Sequence, residues 1–82
     1  MGSNYPKLQL DQPAAYRIKI QGRLDEKWSG FFDGMHITIE SSLHQVTLTT
    51  LTGTVMDQAG LHGMLNQIRD LGLPLVLVEW LS

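Results

Sequence analysis

The alternation of apolar and polar side chains between Tyr16 and Leu24 is the feature that most constrains the fold of this chain. Tyr16, Ile18, Ile20 and Leu24 are apolar, whereas basic or polar residues stand between them. A period of two places the apolar side chains on one face of a strand and the polar side chains on the other. The pattern therefore predicts a half-buried strand that packs against a core through one face.

The spacing of apolar residues elsewhere predicts three more strands, from a period of two, and two helices, from spacings of three and four residues. In chain order these are a helix over 26–32, strands over 35–40 and 45–55, a helix over 58–71 and a strand over 75–81. Asp25 and Asp57 are expected to cap the two helices at their N-termini. Gly72 is expected to take the left-handed conformation that ends the second helix, with Leu73 as its hydrophobic contact and Pro74 as a stop.

The third strand, rich in threonine, follows an expected hairpin turn from Ser41 to His44. Its apolar pattern slips near Thr49 and Thr50, shortly before Gly53. An irregularity of this kind is typical of a bulge, and glycine inside a strand often marks one. The sequence therefore predicts a bulge or bend in this strand.

The order strand, helix, strand, strand, helix, strand predicts an α+β fold of the ferredoxin-like βαββαβ type. We expect a four-stranded antiparallel sheet with two helices on one face. Since 82 residues are few for more than one domain, residues 16–82 are expected to form a single domain. Residues 1–15 contain two prolines and no sustained period, and are expected to form an N-terminal tail or irregular segment.

The last strand is apolar on both faces apart from Glu79, and in this topology it lies at a sheet edge. An exposed apolar edge pairs readily with other chains. A chain of this size also buries only about 60% of its unfolded surface. We therefore expect the N-terminal tail or a second subunit to cover the strand, which favours a homodimer.

Composition argues against several classes of function. The chain has no cysteine, which excludes disulfides, thiol catalysis and cysteine zinc sites and fits a reducing, cytoplasmic compartment. A net charge of −2 does not favour nucleic-acid binding, and no apolar stretch approaches the roughly 20 residues of a membrane span. Catalytic motifs are lacking, and His36, His44 and His62 do not have metal-ligand spacing. No enzyme activity, metal or cofactor is therefore expected.

A basic row on the polar face of the first strand is the first candidate site. Its members are Arg17, Lys19 and Arg23. One interpretation is anion or single-stranded nucleic-acid binding on an open sheet, which needs aromatic side chains for stacking; Trp80 is the aromatic that reaches this face in some registers. The favoured interpretation is a solvated or dimer-facing surface, with Glu40 and Glu79 as counter-charges.

A polar column beside the apolar stripe of the second helix is the other candidate. Gln58, His62 and Arg69 fall within roughly 60° of one another at 100° per residue. A histidine side chain suits proton exchange with a ligand, and Arg69 suits a carboxylate or phosphate, so the column predicts a cleft for a small molecule or anion. The alternative is structural: Arg69 pairs with an acid and His62 makes a hydrogen bond at the sheet margin.

The run from Leu51 to Leu75 resembles a family of small uncharacterised bacterial proteins that carry the block LTGxVxDQAxLHGxLxxIRDLGLPL. The resemblance covers roughly residues 16–78 and also includes Gly22-Arg23-Leu24-Asp25. It implies membership of that family and a bacterial source, but no reaction. Gln58, His62 and Arg69 match the block, which favours the polar column as a feature of the family.

Two hypotheses of different classes follow. The leading one is a non-enzymatic protein–protein interaction or regulatory module that acts as a homo-oligomer, with a further protein partner left open. The alternative is a sensor of a small molecule or anion that uses the polar cleft at the margin of the second helix. An enzyme on a dimeric α+β barrel would need a closed pocket with a perturbed acid or base, and the sequence indicates none.

Overall fold

The computed structural model describes residues 12–24, 26–28, 30, 32, 34–41 and 45–82. This part of the chain forms four strands and one α-helix. In chain order they are β1 (Ala14–Gln21), β2 (His36–Ser41), β3 (Thr47–Val55), α1 (Gln58–Asp70) and β4 (Leu75–Trp80). A single 3-10 turn, Glu26–Trp28, lies between β1 and β2.

The four strands form one antiparallel sheet in the order β2-β3-β1-β4. β1 is central: it pairs with β3 from Ala14↔Val55 to Gln21↔Leu48, and with β4 on its other side. β2 and β4 are therefore the two sheet edges. The predicted α+β class with a four-stranded antiparallel sheet is confirmed.

The predicted ferredoxin-like βαββαβ arrangement with two helices on one face is not supported, because the described part of the chain contains one α-helix. A helix over 26–32 would be short and would contain Gly30. Its few backbone hydrogen bonds would not offset the conformational entropy lost in helix nucleation. Its aromatic residues serve the core instead: Phe32 is fully buried and Trp28 packs at the margin. The predicted cap Asp25 lies outside the described residues, as do residues 42–44 of the expected hairpin turn.

The bulge predicted in β3 is wrong. β3 keeps a continuous register with both β1 and β2, and the register shift lies in the β1–β4 ladder, between Lys19 and Ile20. The apolar pattern slips because two core-facing positions of β3 carry Thr49 and Gly53 instead of apolar side chains. The strand is regular, and its sequence departs from the pattern because Thr49 and Gly53 contact segments distant in the sequence.

Thr49 and Gly53 each meet a specific requirement of their neighbours. The buried Thr49 hydroxyl donates a hydrogen bond to the Gly22 carbonyl oxygen (2.7 Å) and accepts one from the Leu24 backbone N–H (3.2 Å). A Cβ atom on Gly53 would lie 2.7 Å from the Met35 sulfur. Thr49 therefore holds the chain that leaves β1, and Gly53 makes room for the chain that enters β2.

The core lies on one face of the sheet, where α1 packs. Alternate residues of β1 are buried, as the opening pattern predicts. The buried hydrophobic side chains are Tyr16, Ile18, Ile20, Leu24, Phe32, Met35, Leu51, Val55, Leu61, Met64 and Ile68. The opposite face carries Arg17, Lys19 and the threonines that flank them in the register.

Both ends of α1 form as the sequence predicts. The Asp57 side chain accepts a hydrogen bond from the Gly60 N–H (2.7 Å) and caps the N-terminus. At the C-terminus Gly72 has a φ of 76°, and the N–H groups of Gly72 and Leu73 donate to the carbonyls of Arg69 and Ile68. This pair of bonds is a Schellman motif, which ends the helix and directs the chain into β4.

Candidate functional site

The free edge of β4 is the most unusual surface of the described chain. Four consecutive apolar residues, Leu75 to Val78, each keep between 37% and 52% of their surface exposed, and Leu81 keeps 37%. Single exposed apolar residues are normal on protein surfaces, whereas a contiguous run on an edge strand marks an interaction surface. We call Leu75–Val78 together with Leu81 the β4 edge.

The backbone of β4 alternates between β1 and solvent. The Leu81 N–H donates to the Ala15 carbonyl (2.8 Å), so it points towards β1. In an antiparallel ladder the hydrogen-bonding direction alternates with each residue. Glu79 and Leu77 therefore also point their N–H groups inwards, and Val78 and Trp80 present theirs to the free edge.

The other edge of the sheet is polar. His36, Thr38, Glu40 and Ser41 of β2 are exposed, and the two isoleucines between them are half-buried. Polar and charged side chains on an edge strand discourage pairing with other chains. The two edges of one sheet thus differ, and only β4 lacks this protection.

The single charge within β4 is neutralised inside the chain. Glu79 lies directly opposite Arg17 of β1, and the Glu79 carboxylate is 2.7 Å from the Arg17 guanidinium. Both side chains are half-exposed, so the pair adds little to stability. Lys19, opposite Leu77 on the same face, has no ion pair with the part of the chain that the structure describes. The β4 edge is thus apolar and nearly neutral, and Lys19 beside it has no carboxylate partner among the described residues.

The register separates the members of the predicted basic row. Arg17 and Lys19 lie on the face opposite the helix, and Arg23 is exposed beyond the end of β1. Trp80 lies opposite Tyr16 and therefore on the core side of the sheet. Trp80 does not share a face with Arg17 and Lys19, so these four residues do not form a stacking surface for nucleic-acid bases.

The polar column of α1 is not gathered into one enclosed site. The Gln58 amide donates a hydrogen bond to the Tyr16 hydroxyl and ties the start of the helix to β1. His62 is exposed, and the Arg69 side chain is 74% exposed and 3.3 Å from the Asp70 carboxylate. The structure therefore gives Gln58 a structural contact and leaves His62 and Arg69 at the surface.

A shallow pocket of about 410 Å³ lies between the end of α1 and the start of β4. Its lining residues are Leu65, Ile68, Arg69, Gly72, Leu73, Pro74 and Leu75. Of the predicted column only Arg69 reaches it, at an otherwise apolar site. The helix stop at Gly72 to Pro74 predicts that the chain reverses there, but not that a pocket forms beside the helix end.

Metal-binding and membrane-spanning features are not found in the described ranges. No group of three or more histidine, aspartate or glutamate side chains is placed to hold a metal ion there. Within those same ranges, neither the length nor the composition of α1 suits a bilayer-spanning helix.

The fold and the site define a small α+β domain whose antiparallel sheet has one polar and one apolar edge. The sequence model of the family described as "Domain of unknown function (DUF8691)" matches residues 15–79, and the chain belongs to this family. Comparison with curated proteins and with solved structures gave no match. Membership of an uncharacterised family is thereby confirmed, while the sequence block from Leu51 to Leu75 as a family motif and the bacterial source remain predictions.

Proposed function

We propose that the protein is a non-enzymatic protein–protein interaction module that acts as a homo-oligomer, in its simplest form a homodimer. The observation that carries this proposal is the β4 edge, where outward backbone groups without a partner strand in the described residues lie beside contiguous exposed apolar side chains. A regulatory role of such a module, a cytoplasmic location and a bacterial source belong to the same proposal. The lack of cysteine supports the location, and the resemblance supports the source.

The apolar side chains of the β4 edge offer a free-energy gain of the same order as the cost of association. Burying the exposed part of one apolar side chain contributes roughly 1 kcal/mol, so five on each of two copies contribute on the order of 10 kcal/mol. Association itself costs about 4–15 kcal/mol in lost freedom of motion. These terms are of the same order, and the strand hydrogen bonds add to the favourable side.

Analytical ultracentrifugation of the full chain from about 5 to 500 µM tests the proposal. We expect a monomer–dimer equilibrium with a dissociation constant in the micromolar range. Val78→Lys places a charge on the apolar edge and should shift the protein to monomer. Thr38→Lys, on the exposed face of the polar edge strand, is the matched control and should leave the equilibrium unchanged. A wild-type chain that stays monomeric throughout this range would overturn the proposal.

The second candidate function is a sensor of an anionic small molecule, and the pocket beside Arg69 favours it. A guanidinium at the rim of an apolar hollow suits a ligand with a carboxylate or phosphate and a short apolar group. A thermal-shift screen of short-chain carboxylates and alkyl phosphates tests this idea, because a ligand that binds only the folded state raises the melting temperature. Arg69→Ala should remove the shift and His62→Ala, outside the pocket, should keep it. If no compound of these classes raises the melting temperature, the sensor function fails.

A further inference from the structure

We infer that β4 pairs antiparallel with β4 of a second copy about a two-fold axis at Val78, so that two four-stranded sheets join into one continuous sheet. This inference rests on the proposed homodimer and adds its geometry. Both helices then lie on the same face of the joined sheet. The inference follows from symmetry, from the backbone of β4 and from the charges beside it.

Symmetry limits the registers that two identical antiparallel strands can adopt. In an antiparallel pair, hydrogen-bonded and non-hydrogen-bonded positions alternate along each strand. A two-fold axis makes both copies equivalent. A residue whose backbone groups point to the free edge must therefore pair with a residue whose backbone groups also point there. Only registers in which some residue faces its own copy satisfy this condition.

The backbone of β4 and its neighbours select one of these registers. An axis at Glu79 would place the two carboxylates opposite each other, and like charges in that position are destabilising. An axis at Leu77 would place Trp80 opposite Pro74, which has no N–H and whose carbonyl already accepts a hydrogen bond from Gln21 (2.9 Å). An axis at Val78 avoids both problems.

With Val78 on the axis, the regular part of β4 pairs with its copy from Leu77 to Glu79. Before Leu77 the register shift against β1 breaks the alternation, because the Pro74 carbonyl also points towards β1. Val78 presents its N–H and C=O to the free edge, as the alternation from Leu81 requires. It therefore makes a hydrogen-bonded pair with its own copy.

Charge complementarity argues for a second copy as the occupant. In this register Leu77 faces Glu79 of the second copy, and Lys19 lies next to Leu77 on the same face. Lys19 is thus two strand spacings from that carboxylate, about 10 Å between the backbones, a distance that the two side chains together span. Lys19, which has no ion pair within the described residues, thus gains a carboxylate partner from the second copy, and the Arg17–Glu79 pair of each copy joins the same network.

Single-cysteine variants of the full chain test the register, because the natural sequence contains no cysteine. Val78→Cys places two sulfurs opposite each other on strands with Cα atoms about 5.5 Å apart, within the range of a disulfide. Under mild oxidation we expect a covalent dimer as the main product. Val76→Cys, two residues from the axis on the same edge, should give little, and Thr38→Cys on β2 should give none.

A charge reversal tests the trans pair independently. Lys19→Glu should raise the dissociation constant about tenfold at low salt, since two attractive contacts become repulsive. Arg23→Glu makes the same change in net charge away from the interface and should leave the constant within about twofold.

The outcomes separate this inference from the proposed function. A wild-type chain that sediments as a monomer overturns both. A wild-type dimer in which Val76→Cys or Thr38→Cys cross-links more readily than Val78→Cys overturns the register and leaves the homodimer intact. A dimer equally weakened by Arg23→Glu and Lys19→Glu overturns the trans ion pair.

Discussion

Thr49 and Thr50 are neighbours in β3 that differ in what their hydroxyl groups do. The Thr49 hydroxyl faces the core and bridges Gly22 and Leu24. Thr50 points to the other face, is 8% exposed, and its hydroxyl oxygen has no hydrogen-bond partner in the part of the chain that the structure describes. A buried polar group without a partner destabilises the fold, whereas one with two partners contributes to it.

Replacing each of these threonines by valine should therefore have different effects. Thr49→Val leaves a buried N–H and a carbonyl without their partner and should lower the free energy of unfolding by about 2 kcal/mol. Thr50→Val removes an unpaired hydroxyl at constant shape and should leave the free energy of unfolding unchanged or slightly higher. Urea denaturation of the two variants measures both. Equal losses would show that the Thr49 hydrogen bonds contribute nothing specific.

Two glycines form a second contrast at this scale. A Cβ on Gly53 would lie 2.7 Å from the Met35 sulfur and 3.4 Å from the Met35 Cα, whereas a Cβ on Gly63 would have no atom within 4 Å. Gly63→Ala in the exposed interior of α1 should raise stability by about 1 kcal/mol through helix propensity. Gly53→Ala should lower it, since Met35 is buried and the chain must shift. Thermal unfolding of both variants checks the signs, and a stabilising Gly53→Ala would contradict this packing.

At the scale of the elements, α1 is held by its two ends as well as by its apolar stripe. Asp57→Ala removes the acceptor for the Gly60 N–H and should lower the free energy of unfolding by about 1 kcal/mol. Asp57→Asn keeps an acceptor oxygen and should recover most of that loss. Chemical denaturation followed by circular dichroism measures both variants. If alanine and asparagine are equally destabilising, charge rather than capping is the cause.

Sequence reasoning predicts the elements whose signals are local. The alternation in β1, the cap at Asp57 and the stop at Gly72 all depend on residues within a few positions of each other, and each forms as expected. The first predicted helix fails because Trp28 and Phe32 suit a short turn that packs on the core as well as they suit a helix. The predicted bulge is wrong because the polar Thr49 faces the core in order to hydrogen-bond with Gly22 and Leu24, which lie in a distant part of the sequence.

The candidate sites depend on non-local pairing, which a single sequence does not specify. Trp80 leaves the basic face because it pairs with Tyr16, 64 positions earlier. The exposure of β4 was predictable, since an apolar last strand in this order of elements falls at an edge. The pocket beside Arg69 was not, because it depends on how the helix end meets the start of β4.

At the scale of the whole molecule, one sheet with two unlike edges makes stability depend on concentration. If the β4 edge is buried in a dimer, mass action stabilises the folded state as protein concentration rises. The melting temperature of the wild-type chain should therefore increase by a few degrees per tenfold increase in concentration. For Val78→Lys it should stay constant. Differential scanning calorimetry at several concentrations measures this, and parallel curves for the two proteins would contradict a dimer formed through β4.

The central place of β1 also determines how the chain folds. β1 is the earliest strand of the described residues, yet both of its neighbours come from later in the sequence, and its ion pair with β4 joins residues 62 positions apart. Sheets built from such distant pairings form slowly, because the entropy of closing a long loop is lost before the stabilising contacts form. Until β4 docks, β1 is itself an open edge, and β4 of a neighbouring chain offers it the same contacts. Refolding at high concentration should therefore yield dimers that have exchanged their last strands and separate only as fast as the chains unfold.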